Sequence, residues 1–369
     1  MNDLDTLTRR LAVEGWQPDA TVVVGMSGGV DSTVTAALLL RAGFKVVGVT
    51  LRLWSEGSRC CSLDDIDDAR YAASKLGIPF YVIDREPLFR DAVVLPFIAA
   101  YGAGITPNPC TTCNAVVKFA PLIELADQLG AVGVASGHYA HLDQEGRALR
   151  QGEDAAKDQS YFLYAIPSEQ RPRIRFPLAG LSKSEVRQAA RLLHLPVADK
   201  AESQDLCFLP DGDLDHFLRA QGAAPQPGPI VDAAGRVVGQ HTGIHRYTVG
   251  QRKGLDLKAT TADAEPQYVL ELDPTRNRLV VGPRAHLEKQ VVTLRGVIGW
   301  VASEAIPETV WLRVRHRGPL QEVQMSAYAG AAAVLTLKKP FGPITPGQAG
   351  VVYDEAGRVL FGGVIDGAD

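Results

Sequence analysis

Three short strings in this 369-residue chain hold residue types that do chemistry. The first is Gly25-Met26-Ser27-Gly28-Gly29-Val30-Asp31-Ser32, entered from the β-branched run Val22-Val23-Val24 and followed by an apolar stretch through Leu40. A buried strand, a glycine turn and a helix start make an anion site. The free N–H groups of the first helical turn and the helix dipole both favour phosphate. Gly28 and Gly29 allow positive φ and close backbone approach. Ser27 and Ser32 add hydroxyl donors. Asp31 beside a phosphate makes sense mainly through a bound Mg²⁺. A Walker A loop is excluded because no Lys follows these glycines, and G-x-G-x-x-G is absent here.

The second string is Thr106-Pro107-Asn108-Pro109-Cys110-Thr111-Thr112-Cys113-Asn114. Two prolines pin the loop, and Cys113 is expected at or near the start of the following helix, where the dipole lowers a thiol's pKa. A thiol with a pKa near ~8.5 is a few per cent thiolate at pH 7, and one near ~7 is about half. Cys-x-x-Cys reads as half a zinc site, a redox pair, or a nucleophile with a neighbour. No second pair or close His pair completes a zinc set, so structural zinc ranks low. The third string holds Cys207, in Glu202-Ser203-Gln204-Asp205-Leu206-Cys207-Phe208. Alone, it reads as a buried core thiol.

These strings need a scaffold. The first half alternates strands (21–25, 45–51, 80–83, 131–135) with helices (63–76, 88–100, 114–129). That alternation predicts an α/β fold with a doubly wound parallel sheet. Ligands then gather at the carboxyl ends of the strands, where the first loop, the end of strand two and Ser136-Gly137-His138-Tyr139 all fall. Ser182-x-x-Glu185 is a capping box that opens a helix through Leu193, and 213–221 reads as a short helix. The Pro-rich stretch 223–229 marks a boundary. Beyond it, turns at 232–236 and 354–358 and short strands at 310–317, 322–328, 332–337, 349–353 and 359–365 predict a small antiparallel barrel.

Bulk properties bound the rest. Net charge is −4, which does not advertise nucleic-acid binding. Two basic stretches stand out: Arg171, Arg173, Arg175, Lys183, Arg187 and Arg191, and later Arg313, Arg315, His316 and Arg317. Either can supply a salt-dependent electrostatic contact or be ordinary solvated charge. Five cysteines argue against a disulfide framework. No run of eighteen apolar residues suggests a membrane span, and residues 1–10 lack the pattern of a signal peptide. A cytoplasmic protein is expected.

The string Ser27 to Ser32 resembles the PP-loop of ATP pyrophosphatases. Taken in order with Pro107-Asn108-Pro109-Cys110-x-x-Cys113-Asn114, Ser136-Gly137-His138-Tyr139, Lys157-Asp158-Gln159-Ser160-Tyr161, Asp205-x-Cys207-Phe208, Tyr247-Thr248-x-Gly250-Gln251-Arg252 and Thr345-Pro346-Gly347-Gln348, the chain resembles the tRNA-specific 2-thiouridylase (MnmA) family over essentially its whole length.

The resemblance implies an ATP- and Mg²⁺-dependent enzyme that adenylates the C2 oxygen of the wobble uridine of tRNA and lets sulfur displace AMP. It implies three domains: a catalytic domain at 1–208, a small β-rich domain at 209–286, and a tRNA-binding barrel at 287–369. Gly25 to Ser32, Leu51 and Gly137 are expected to hold ATP, with Asp31 reaching Mg²⁺. Asn108, Pro109 and Cys110 are expected at the target base. His138, Lys157, Asp158, Gln159, Arg315, His316 and Gln348 are expected on the tRNA. In one mechanism of this family, Cys207 receives persulfide sulfur from a cysteine desulfurase or relay protein, and Cys113 attacks or resolves it. The acceptors are the Lys, Glu and Gln tRNAs, and a monomer is the family default.

The sequence departs from one form of the family, in which position 110 is an Asp proposed as a general base. Cys110 stands there instead. Three thiols, Cys110, Cys113 and Cys207, can also hold a [4Fe–4S] cluster with one iron open, so persulfide and cluster chemistry are both carried forward. Cys60 and Cys61 receive no role. Two other classes compete: a PP-loop ligase that adenylates without thiol chemistry, and a tRNA-binding protein with a vestigial nucleotide loop.

Overall fold

The computed structural model describes residues 3–55, 63–201, 206–209, 213–222, 226–257 and 265–369. Cys60 and Cys61, residues 202–205 of the Cys207 string and the boundary residues 223–225 lie outside them. The chain divides into two compact units. One comprises Met1–Val93, Cys110–Gly212 and Ala356–Val359, the other Val94–Pro109, Asp213–Glu355 and Leu360–Asp369. No helix among the described residues is long and apolar enough to cross a membrane.

The first unit is built on a five-stranded sheet. Its strands are β1 (Thr21–Gly25), β2 (Lys45–Arg52), β3 (Phe80–Asp84) and β4 (Gly133–Ser136), after which the ribbon strands β5 (Ala140–Leu142) and β6 (Leu149–Gln151) intervene before β7 (Ile174–Arg175). The order is β3-β2-β1-β4-β7 and every pairing is parallel. Val22, Val23 and Val24 are fully buried, as expected for a strand covered on both faces. Each such valine contributes roughly 1.5–3 kcal/mol. The helices Val30–Arg41 and Lys183–Leu192 and residues of Leu63–Leu76 share one core with β1 and β2. The helix Phe119–Gln128 puts Leu122 against Gly25, whose missing Cβ would lie 3.3 Å from it.

Succession reverses at β1: the chain runs outward through β2 and β3, then returns to β4 on the other side. Gly25 pairs with Ser136, the last residues of β1 and β4, so the loops that follow start side by side. That is the crevice where an open parallel sheet takes its ligand.

The second unit holds two β structures. Strands β8 (Gly228–Asp232), β9 (Val237–His241), β10 (Gln267–Asp273) and β11 (Arg278–Pro283) form a sheet of order β10-β11-β8-β9. A closed barrel runs β12-β15-β14-β13-β16-β17 through β12 (Lys289–Gly299), β13 (Val310–Arg313), β14 (Gln321–Ala329), β15 (Ala332–Phe341), β16 (Ala349–Tyr353) and β17 (Val359–Ala368). Val292, Leu294, Leu312, Val323, Leu335, Val352 and Leu360 fill it. The segment Val94–Pro109 belongs to this unit, with Phe97 edge-on to Phe217 at 6.4 Å.

Several expectations change. The strand expected over 310–317 stops at Arg313, and Gly318 N–H closes a turn on the Arg315 carbonyl. The helix expected over 88–100 is Glu86–Phe89, a wide π-type turn at Arg90–Val94, and Leu95–Gly102. The basic stretch 171–191 is not a charged face. Arg171, Arg175 and Lys183 are buried. Arg175 lies over the Trp16 ring and donates to the carbonyls of Glu14, Pro172, Ile174 and Gln144. Arg171 donates to Ile166, and burial pushes its guanidinium down to about 10.

Candidate active site

The helix Val30–Arg41 starts without a side-chain cap, its N-cap being Gly29. The N–H groups of its first turn are therefore available to an anion. The loop before it is shaped from within. Ser27 N–H donates to Ser32 Oγ at 3.1 Å, and Ser32 Oγ donates to the Gly29 carbonyl at 3.2 Å. Met26 N–H bonds to the Val49 carbonyl, and Thr50 Oγ1 donates to the Met26 carbonyl at 2.6 Å. Gly28 is required on two counts: φ is +70°, and a Cβ would lie 2.3 Å from the Asp65 carbonyl oxygen. Gly137 packs against the same helix start, where a Cβ would meet Asp31 C and Ser32 N at 2.8 Å. Leu51 is buried on β2, two residues past Val49, the partner of Gly25.

Asp31 does not stand alone. Lys183 Nζ donates to its two oxygens at 2.6 and 2.7 Å, and the Tyr139 hydroxyl donates to Oδ1 at 2.8 Å. Neither partner was identified from sequence as a site residue. A second lysine, Lys200, donates to the Gly28 carbonyl at 3.1 Å, to Asp65 at 2.8 Å and to Asp68 at 2.5 Å. Burial works against its charge, but the bonds to Asp65 and Asp68 outweigh it and raise its pKa. The glycine loop is thus flanked by two ion-paired ammonium groups. For Mg²⁺ the loop supplies one carboxylate, Asp31, which suits a metal held chiefly by a triphosphate.

The motifs are joined by hydrogen bonds. Tyr139 N–H donates to Gln159 Oε1 at 2.9 Å, and Gln159 N–H donates back to the Tyr139 carbonyl at 2.8 Å. Asp158 is 3% exposed, and its carboxylate accepts from Ser160 N–H and Oγ, Gln151 Nε2 and Gly152 N–H. Of the string expected on RNA, the Asp158 and Gln159 side chains are therefore engaged inside this unit. Lys157 is half-buried. Asn114 Nδ2 donates to the Phe162 carbonyl at 3.1 Å, tying the cysteine helix to the same string. His138 shares Nδ1 with Ser136 Oγ at 2.8 Å and packs between Phe119 and Phe176. Burial holds its imidazole well below the usual range, and Lys118 adds to this. It is neutral at pH 7.

The cysteines differ from expectation. The helix starts at Pro109, so Cys113 sits one turn inside it, not at its N-terminus. Cys113 is buried; burial pushes its thiol up, and the nearby Lys118 charge opposes this only in part. Cys110 and Cys207 are half-buried. Among the described residues no three His, Cys, Asp or Glu side chains lie close enough to hold a metal ion. Cys110, Cys113 and Cys207 therefore do not make a cluster ligand set in this structure.

In the second unit Asn108 is half-buried and Pro109 buried. Arg315 is exposed at the turn after β13, and His316 is half-buried beside it. Gln348 Nε2 donates to the carbonyls of Thr106 and Pro107 at 2.9 and 3.3 Å.

Comparison with known proteins identifies the family. Models described as the tRNA methyl transferase HUP domain, the tRNA methyl transferase PRC-barrel domain and the aminomethyltransferase beta-barrel domain match residues 20–211, 215–283 and 295–365. The tRNA-specific 2-thiouridylase MnmA of Bradyrhizobium sp. is 45% identical, covering 97% of this chain and 94% of its own. Those of Acidithiobacillus ferrooxidans (44%, covering 95% and 99%) and Magnetococcus marinus (45%, covering 93% and 98%) are as similar. With that identity across nearly the full length of each, this chain belongs to the tRNA-specific 2-thiouridylase MnmA family.

Proposed function

We propose that this protein uses ATP to adenylate the C2 oxygen of the wobble uridine in tRNA, and that sulfur then displaces AMP to give 2-thiouridine. A urea-like carbonyl oxygen is a poor leaving group and AMP a good one, which is why the reaction spends ATP. The observation that carries this reading is the continuous run from Asp31 through Tyr139 and Gln159, and from Phe162 to Asn114 beside Cys113. It ties an anion-binding helix start to a cysteine helix within one unit.

The uncapped helix start takes the departing pyrophosphate. Gly137 and Leu51 face the adenosine, and Asp31 would hold Mg²⁺, which when bound would neutralise charge on the triphosphate. Lys183 holds Asp31 and offsets phosphate charge that builds in the transition state. The wobble base leaves its stack to be reached, as in other base chemistries, with Asn108 to Cys110 against it and with His138, Lys157, Arg315 and His316 along the RNA.

Cys207 carries the sulfur as a persulfide, loaded by a cysteine desulfurase or relay protein. Its terminal sulfur attacks C2, AMP leaves, and Cys113 attacks the Cys207 sulfur. The bond between Cys207 Sγ and the transferred sulfur breaks, that sulfur stays on C2 as 2-thiouridine, a Cys113–Cys207 disulfide forms, and an external thiol reduces it. Lys, Glu and Gln tRNAs are the substrates, and the protein works as a cytoplasmic monomer.

The matched family label speaks of methyl transfer, so one assay separates the two readings. Purified protein is given tRNA, ATP, Mg²⁺ and a persulfide source. The proposal expects pyrophosphate, AMP and 2-thiouridine in step. A methylated product without pyrophosphate release would replace it.

A further inference from the structure

Two strings far apart in sequence meet in the second unit, and the reaction scheme above does not use their contact. The turn Thr345-Pro346-Gly347-Gln348 grips residues 105–107. Thr106 N–H donates to the Pro346 carbonyl at 3.3 Å, and the Gln348 amide donates to the successive carbonyls of Thr106 and Pro107. Gly347, at φ +89°, has no room for a side chain: a Cβ would lie 2.2 Å from Ile105 Cγ2 and 2.9 Å from the Thr106 oxygen. The turn is itself anchored to β17. Gly347 N–H donates to the Ile365 carbonyl, and Ile365 N–H to the Gln348 carbonyl, both at 2.8 Å.

Pro107 and Pro109 lack N–H groups, so this loop cannot be held by its own ladder of backbone bonds. One side-chain amide that engages two successive carbonyls fixes the orientation of both peptide planes. It thereby sets the direction of the chain through Asn108 and Pro109, the residues that follow. Family resemblance assigns Gln348 to tRNA; the geometry points to another task. We propose that Gln348 is a positioning residue, holding the Asn108-Pro109 segment for the target base. This rests on the thiolation reading.

The test uses the full-length protein with Gln348→Glu, which keeps the shape but loses the donor, and Gln348→Ala. With saturating tRNA, the single-turnover rate of 2-thiouridine formation is expected to fall roughly 10- to 100-fold, the range a displaced reacting group produces. The Kd for tRNA and its salt dependence are expected to stay within about twofold, the split that distinguishes positioning from uniform binding. In the protein without tRNA, hydrogen exchange in peptides spanning 103–112 is expected to speed up, while peptides of β16 and β17 stay protected. A Kd raised tenfold or more with an intact rate at saturation would make Gln348 an RNA contact and overturn the proposal. Unchanged exchange over 103–112 would overturn it independently of activity. Wild type that made no 2-thiouridine would sink the thiolation reading instead, and the exchange result would still decide whether Gln348 holds the loop.

Discussion

Lys183 Nζ bonds both carboxylate oxygens of Asp31, and the two residues are 152 positions apart. The lysine is the first residue of the helix Lys183–Leu192, opened by the Ser182–Glu185 capping box, and its ammonium reaches the first turn of Val30–Arg41. Its side chain is 11% exposed and that of Asp31 31%. Lys183→Met is expected to cut pyrophosphate release on the order of 10²–10³-fold, as loss of one preorganised charge donor does. Asp31→Asn is expected to abolish adenylation. Filter binding of tRNA should hold in both variants; equal loss of binding and adenylation would contradict the assignment of this pair to ATP.

Gly137 admits no side chain against Asp31 and Ser32. Gly137→Ala is expected to push the loop off the helix start and weaken a non-hydrolysable ATP analogue by tenfold or more, with tRNA affinity unchanged. Calorimetric titration checks this. Wild-type nucleotide affinity in the variant would mean that the crevice beside Gly137 is not the adenosine site.

His138 is half-buried, and desolvation against its neighbours keeps it neutral in the native protein, while in the unfolded chain it titrates near ~6.5. The unfolded state binds the extra proton, so stability is lost as pH falls below about 6.5, by at most about 1.4 kcal/mol per pH unit for this group. His241, also lowered by burial, adds to the wild-type slope. Urea midpoints between pH 7 and 5 should fall less steeply in His138→Gln. Parallel curves would mean that His138 is charged or exposed in solution.

Arg315 and Arg175 separate two kinds of basic residue. Arg315 is exposed, so Arg315→Ala should weaken tRNA binding and lower the slope of log K against log salt by about 1. Arg175 is 2% exposed and spends its guanidinium on four backbone carbonyls. Arg175→Ala should lower the melting temperature and leave the salt slope alone. Thermal melts and salt-titrated binding together check the pair; reversed outcomes would put Arg315 off the RNA.

Patterned runs were legible. Strand 21–25 and helix 63–76 fall where the sequence puts them, because a β-branched run bounded by glycine and an amphipathic acidic-capped stretch each have one sensible period. The pair Ile174–Arg175 was missed as a strand since two residues carry no period. Strand β12 was missed because register shifts along it break the alternation. For Cys113 the sequence does hold a usable signal. Proline favours the first helical position, so Pro109 marks the start and leaves the second cysteine a turn inside. Lys183 reads in sequence as one member of a basic stretch, open between an electrostatic contact and solvated charge; its contact with Asp31 is set by tertiary packing and has no local signature.

The central claim is tested most directly by one rapid-quench experiment. Wild type and Cys113→Ser, each with persulfide loaded, are mixed with tRNA, ATP and Mg²⁺, and pyrophosphate and 2-thiouridine are followed in a single turnover. The account predicts matched pyrophosphate and 2-thiouridine from wild type, and pyrophosphate without 2-thiouridine from the variant. No pyrophosphate from wild type, or full 2-thiouridine from Cys113→Ser, would contradict it.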